Sequence, residues 1–217
     1  MKPLRKVCHI WSSNFAYAVG LFTSDGCLSP DGRHLEFNSK DEKQVKNFKK
    51  CLNLFNKITK KARSDERIKK YYRVQFGDTQ FYKFLESIGL SPRKSKSLRE
   101  LKIPKIFFPD FLRGLFDGDG CFRVFVHPES QYPQLRVSFA SASPKFVRWL
   151  QQEINRRLDT KGFIETAVRA ESLTYAIKDS IKLLNFMYYS PNIVCLPRKF
   201  EKVKSYLRGR SRIGIGA

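Results

Sequence analysis

Acidic residues are scarce in this chain. Its 20 Asp and Glu face 42 Lys and Arg, leaving a formal net charge of +22 over 217 residues. That much like charge repels itself unless a polyanion relieves it. Nucleic acid is the usual polyanion, because its phosphates release counterions as Lys and Arg approach. No apolar run approaches the roughly 20 residues that a membrane helix needs. A long basic helix with a clean apolar face is also lacking, so no membrane partner is expected. The opening residues, MKPLRKVCHIWSSN, hold no apolar segment of the secretory kind, which points to a soluble intracellular protein. The five cysteines, Cys8, Cys27, Cys51, Cys121 and Cys195, are odd in number and form no CxxC pair. A disulfide framework and a Cys-type zinc site are therefore not expected, and reduced, mostly buried thiols are. His9, His34 and His127 are too scattered for a histidine metal cluster. No GxxxxGK phosphate loop and no Ser-His-Asp arrangement occurs. Hydrophobic residues make up 41%, enough for a packed core.

What is present is a repeat. Residues 20–27 read GLFTSDGC and residues 114–121 read GLFDGDGC, identical at six of eight positions. Pro92-Arg93-Lys94 is echoed by Pro197-Arg198-Lys199. The first offset is 94 residues and the second 105, so the second unit is longer by about one hairpin or loop. Two echoes in the same order predict two copies of one unit of about 100 residues. We place the first at 1–98, a linker at 99–109 and the second at 110–217.

Each copy shows the same coarse order. In the first, Ser13-Asn14 opens a helix that Asp25-Gly26 ends. Residues 34–38 alternate, with Leu35 and Phe37 inward and His34, Glu36 and Asn38 outward. Asp41 caps a helix, with Gln44 in a capping-box position. The stretch 56–70 reads as a loop or frayed helix end. Residues 71–76 alternate again, Tyr72, Val74 and Phe76 against Tyr71, Arg73 and Gln75. A helix from Thr79 to Ile88 is stopped by Gly89. In the second copy Pro109-Asp110 opens a helix ending at Asp119-Gly120, and strands follow at 122–127 and 134–140. Ser143 caps a helix with Pro144 in its first turn, running to about Leu158. A strand near 164–177 and a helix near 179–188 complete the unit. The tail RGRSRIGIGA lacks periodicity and is expected to be mobile. The predicted fold is α+β, with each half arranged as helix, two strands, helix, two strands, helix.

Ala16, Gly20 and Ser24 recur at a spacing of four, as do Gly114 and Gly118. Small residues at that spacing line one helical stripe and let two backbones approach. Each interior glycine costs up to about 1 kcal/mol against alanine, which close packing would offset. If the two helices pack around a pseudo-twofold axis, their C-termini meet, and Asp25 and Asp119 stand there. A carboxylate is badly placed at the negative end of a helix, and two repel one another. A divalent cation would relieve both, and oxygen ligands suit a hard ion such as Mg²⁺.

AVGLFTSDG (18–26) and LRGLFDGDG (112–120) resemble the nine-residue motif of the LAGLIDADG homing endonuclease family, in its single-chain, two-motif form. IGLSPRKSKSLRELKIP (88–104) is similar to its prokaryotic branch, which implies a prokaryotic cytoplasm first and an organelle second. The resemblance implies a monomer whose two αββαββα halves form a saddle over the major groove of a long, pseudo-palindromic DNA duplex. Both strands would be cut at the centre, leaving short 3′ overhangs. Asp25 and Asp119 map to the metal-binding acids, with Ser24 and Gly118 beside them as further ligands. Mg²⁺ is the implied ion, with Mn²⁺ substituting and Ca²⁺ binding without cleavage. Lys94 and Lys199 map to the basic residue near each centre, with Lys96 as a second choice in the first half. The motif's sixth position is acidic in Asp117 but is Thr23 in the first copy, a helix-end cap and not a ligand.

On this reading, hydrolysis needs no protein nucleophile. The ion would activate water and offset charge on the phosphate oxygens, and the lysines would orient water or stabilise the transition state. Sequence recognition would come from outward strand residues: His34, Glu36, Asn38, Arg73 and Gln75 in the first half, and Arg123, His127, Gln134, Arg136, Ser138 and Arg169 in the second. Lysines of 56–70 and 198–204 would position the DNA backbone. An intron RNA maturase and a non-cleaving DNA-binding regulator are the alternatives that share the fold.

Overall fold

The structure is a computed structural model that describes residues 6–62, 70–126, 129 and 133–213. The first half runs α1 (Ser13–Asp25), β1 (Gly26–Leu28), β2 (His34–Ser39), α2 (Glu42–Cys51), β3 (Thr59–Lys61), β4 (Tyr71–Gly77) and α3 (Thr79–Ser87). A 3₁₀ turn at Lys105–Phe107 leads into the second half. That half runs α4 (Phe108–Asp119), β5 (Gly120–Val126), β6 (Pro133–Ser141), α5 (Pro144–Leu158), β7 (Phe163–Thr166), β8 (Glu171–Tyr175), α6 (Ile177–Met187) and α7 (Pro197–Ile213). Each half builds one antiparallel sheet, in the orders β1-β2-β4-β3 and β5-β6-β8-β7. The matching register Gly26↔Phe37 and Gly120↔Phe139 shows the repeat at the level of strand pairing. The α+β, two-half architecture expected from the sequence is the one observed.

Alternation sets the inner faces. Leu35 and Phe37 of β2, Val74 and Phe76 of β4, and Leu135, Val137 and Phe139 of β6 are buried, each against helices of its own half. Phe37 stacks on Phe48 of α2 at 4.4 Å, and Phe116 of α4 meets Phe139 edge-on at 5.9 Å. These clusters join through α1 and α4 into one core spanning both halves. A carbon added at Gly20 would strike the Phe111 carbonyl, and one at Gly114 the Tyr17 carbonyl. The glycine stripe thus places backbone against backbone. Ser12 caps α1 by accepting from the Phe15 amide, and Gly89, at φ +108°, ends α3 in a conformation that L side chains rarely adopt.

Several expectations need correction. The stretch 56–70, expected to be loop or frayed helix, contains β3, a three-residue strand whose exposed residues carry no alternation, and its residues 63–69 lie outside the described residues. The single strand near 164–177 is a hairpin of β7 and β8. Residues 208–213 of the supposedly mobile tail continue α7. Gln44 completes no capping box. Asp41 accepts from the Lys43 amide, while Gln44 Oε1 accepts from the Ser39 hydroxyl. Ser143 stands at the α5 cap position, but its hydroxyl donates to the Leu98 carbonyl and makes no cap hydrogen bond. Tyr71 lies in phase with Arg73 and Gln75 yet is buried, with the Lys40 ammonium 5.5 Å from its ring. The thiols are not mostly buried: Cys8, Cys27 and Cys121 are exposed.

Candidate active site

α1 and α4 end side by side, and Asp25 and Asp119 are their last residues. Gly26 and Gly120 then turn the chain into extended conformation, so each acid sits between a motif helix and the first strand of its sheet. The helix ends touch: a carbon added at Gly118 would strike the Ser24 hydroxyl and lie 3.3 Å from Asp25 Oδ2. Burial, then the charge of Asp119, push the Asp25 carboxyl up to about 7, while Lys94 and Lys199 pull it back. Asp119 is open to solvent on one side, and the protein packed on its other side raises its pKa too, again against the two lysines. The structure therefore brings Asp25, Asp119, Lys94 and Lys199 into one electrostatic cluster.

Both lysine ammonium groups are anchored under the helix ends. Lys94 Nζ donates to the Ser24 carbonyl at 3.3 Å. Lys199 Nζ donates to the carbonyls of Phe116 and Gly120, at 2.5 and 2.6 Å. Each lysine is 8% exposed, and burial lowers both pKa values, that of Lys199 to about 8. Lys96, the second choice, is exposed in the same turn. Asp25 opens into a cleft of about 640 Å³ that reaches Ser39, Tyr71 and Arg198, and Asp119 into one of about 270 Å³ with Ser24, Lys94 and Ser141. Each cleft thus joins one half's acid to the other half's Pro-Arg-Lys segment.

The two segments are held differently. Asp117, fully buried, accepts from the Tyr17 hydroxyl at 2.7 Å and the Leu196 amide at 2.6 Å. Leu196 stands just before α7, which carries Lys199, so Asp117 ties that arm to the motif helix. Thr23, its counterpart, instead donates to the Val19 carbonyl of its own helix. Arg113, 1% exposed, donates to the carbonyls of Val194 and Met187 and pairs with Asp110 at 2.6 Å. Sequence reasoning missed this network, although Asp110 and Arg113 stand three apart on a helix, a spacing that pairs charges.

The expected recognition residues fall on two surfaces. On the first sheet, Glu36 pairs with Lys61 at 2.6 Å and Arg73 at 3.6 Å, and receives Asn38 at 3.4 Å. His34 binds Asp31, and Gln75 is exposed. On the second sheet, Arg123, Gln134, Arg136 and Ser138 share the outward face. Arg169 is on the β7–β8 turn and not on a strand, and His127 lies outside the described residues. Among the described residues no cluster of three or more His, Cys, Asp or Glu is suited to a metal, and no helix is long and apolar enough to cross a membrane.

The sequence profile of the LAGLIDADG-like domain matches residues 13–89 and 110–172. No curated protein matches. Among solved structures, meganuclease I-SmaMI bound to uncleaveable DNA superposes with a TM-score of 0.63 at 12% identity, over 91% of this chain and 90% of that one. I-AabMI bound to uncleaved DNA gives 0.61 at 14%, over 94% and 91%. Full-length DUF199/WhiA from Thermatoga maritima gives 0.58 at 15%, over 94% of this chain, which spans 63% of its length. At these identities the likeness is one of fold.

Proposed function

This chain belongs to the LAGLIDADG-like family, and from that premise we propose that it is a site-specific double-strand DNA endonuclease. It would act as a monomer on a long, pseudo-palindromic duplex, hydrolysing one phosphodiester on each strand and leaving short 3′ overhangs. The supporting observation is the meeting of Asp25 and Asp119 at two helix ends, with Lys94 and Lys199 beside them. The donor set fits a hard divalent ion. Two carboxylates stand where helix dipoles are negative, and burial together with the charge of Asp119 raises Asp25, so a divalent cation bound by them would offset both. Asp25 and Asp119 would hold it, with Ser24 and Gly118 adjacent. When bound, Mg²⁺ or Mn²⁺ would supply Lewis-acid polarisation of the phosphate and acidify water, and Ca²⁺ would bind without cleavage. Lys199, with its lowered pKa, can hold or release a proton near neutral pH beside the Gly120 carbonyl. Lys94 sets a positive charge in the cleft of Asp119. The basic surface of the two sheets would take the duplex backbone, its outward side chains the bases.

The test is cleavage of a plasmid library of random targets in Mg²⁺ or Mn²⁺. Asp25→Asn or Asp119→Asn should abolish double-strand cutting yet leave binding to the selected duplex largely intact. Binding that falls as far as cutting would refute ligation by these acids. Binding by the wild type without any cutting would favour the regulator, and retention of an intron RNA without cutting the maturase.

A further inference from the structure

Two aromatic rings stand where an antiparallel sheet should be polar. Because Leu135, Val137 and Phe139 enter the core, Gln134, Arg136 and Ser138 face outward. Register places Phe125 opposite Gln134, Ser138 opposite Thr174, and Thr174 opposite Phe163, so both phenylalanines share that outward face. Phe163 is 40% exposed. Arg123 and Arg136 are direct cross-strand partners, a like-charge pairing that weakens a sheet. Their guanidinium groups each lie 5.2 Å from the Phe125 ring centre, and that of Arg136 lies 5.9 Å from the Phe163 ring. Glu165 reaches Arg136 only at 3.6 Å and also accepts the Thr174 hydroxyl.

The first sheet differs at the equivalent places. Glu36 corresponds to Ser138 by register, and it pairs with both Lys61 and Arg73. Each set has one carboxylate against two cations, but on the first sheet both cations pair with Glu36, whereas on the second only Arg136 reaches Glu165 and the guanidinium groups lie against the half-buried Phe125 and the exposed Phe163. In the major groove the thymine 5-methyl is the apolar group, and guanine O6 and N7 are the acceptors that arginine grips with two donors. Rings packed on a guanidinium also fix its plane. Resting on the endonuclease reading, we propose that Phe125 and Phe163 recognise thymine through its 5-methyl group in the half-site under the second sheet, beside guanine held by Arg136.

Binders are selected from random-sequence duplexes in Ca²⁺, and the affinity of the selected duplex is compared when made with thymidine or with deoxyuridine. The wild type should enrich thymine next to guanine in one half-site. Uracil there should weaken binding about fourfold for each methyl group removed from a ring. Phe125→Ala and Phe163→Ala should bind both duplexes equally. Equal binding of both by the wild type, a comparison that needs no variant, overturns the proposal while leaving the nuclease reading standing. Variants that still discriminate like the wild type also overturn it. Failure to bind any duplex would defeat the DNA reading itself.

Discussion

Gly114→Ala tests the backbone contact on which the site is built. The added methyl would land on the Tyr17 carbonyl oxygen and 2.9 Å from the Leu21 nitrogen. Carbon contacts become comfortable near about 3.5 Å, so α1 and α4 must part by roughly half an ångström against the nitrogen and further against the oxygen. Both atoms are main chain and cannot swing aside. Overpacking of this kind costs about 1–3 kcal/mol or more, while alanine's helix propensity returns up to about 1 kcal/mol. The net loss is about 2 kcal/mol, or roughly 4–8 °C in Tm for a chain of this size. Gly209→Ala on α7 is the control, because nothing lies within 4 Å of the added carbon. It should stabilise by up to about 1 kcal/mol. Thermal and urea unfolding by circular dichroism give both numbers. A Gly114→Ala protein that melts at or above the wild type would refute the close-packing argument. Parting the helices also moves Asp25 from Asp119, so in the proposed nuclease cutting should fall more than DNA binding.

Arg113→Met should cost about 3–5 kcal/mol, since it leaves Asp110 buried without its cation. An unfolding free energy from urea titration that falls by under about 1 kcal/mol would show that Tyr189, which donates to Asp110 at 2.8 Å, suffices alone. Cysteine reactivity should divide by burial. At pH 8, iodoacetamide should label exposed Cys8, Cys27 and Cys121 first. Cys51 and Cys195, whose thiols burial pushes up to about 12 and about 11, hold almost no thiolate there, and labelling should rise only as pH climbs toward those values. Mass spectrometry at two pH values, with Cys51 labelled as fast as Cys27, would contradict this.

Long, periodic elements were legible in the sequence, and short or charge-rich ones were not. The alternation of Leu35 and Phe37, or of Leu135, Val137 and Phe139, marks a half-buried strand because side-chain direction repeats every second residue. β1 and β3 have three residues each, too few to show a period. α7 is dense in charge, and its apolar Val203 and Tyr206 touch the core without forming a long stripe. Its start is fixed by Asp117 across 79 residues of sequence, a contact that no local pattern encodes. The acids and lysines of the site were visible through repetition and resemblance. The Arg113 network was hidden because a lone arginine inside a motif reads as surface charge. Phe125 and Phe163 were hidden because aromatics in a strand read as core until the register shows which face they take.

The bond between Tyr17 and Asp117 determines which helix can embrace which. At the 94-residue offset, Tyr17 corresponds to Phe111 and Asp117 to Thr23. Two N-terminal halves brought together would set a tyrosine hydroxyl against a threonine already committed to Val19. Two C-terminal halves would bury a carboxylate against a phenyl ring. Either self-pairing loses the Tyr17–Asp117 hydrogen bond, worth about 1 kcal/mol or more, and symmetry would repeat the mismatch. Unlike halves therefore fit better than like ones, and either half paired with its own copy would be held less firmly than the two are held together in this chain.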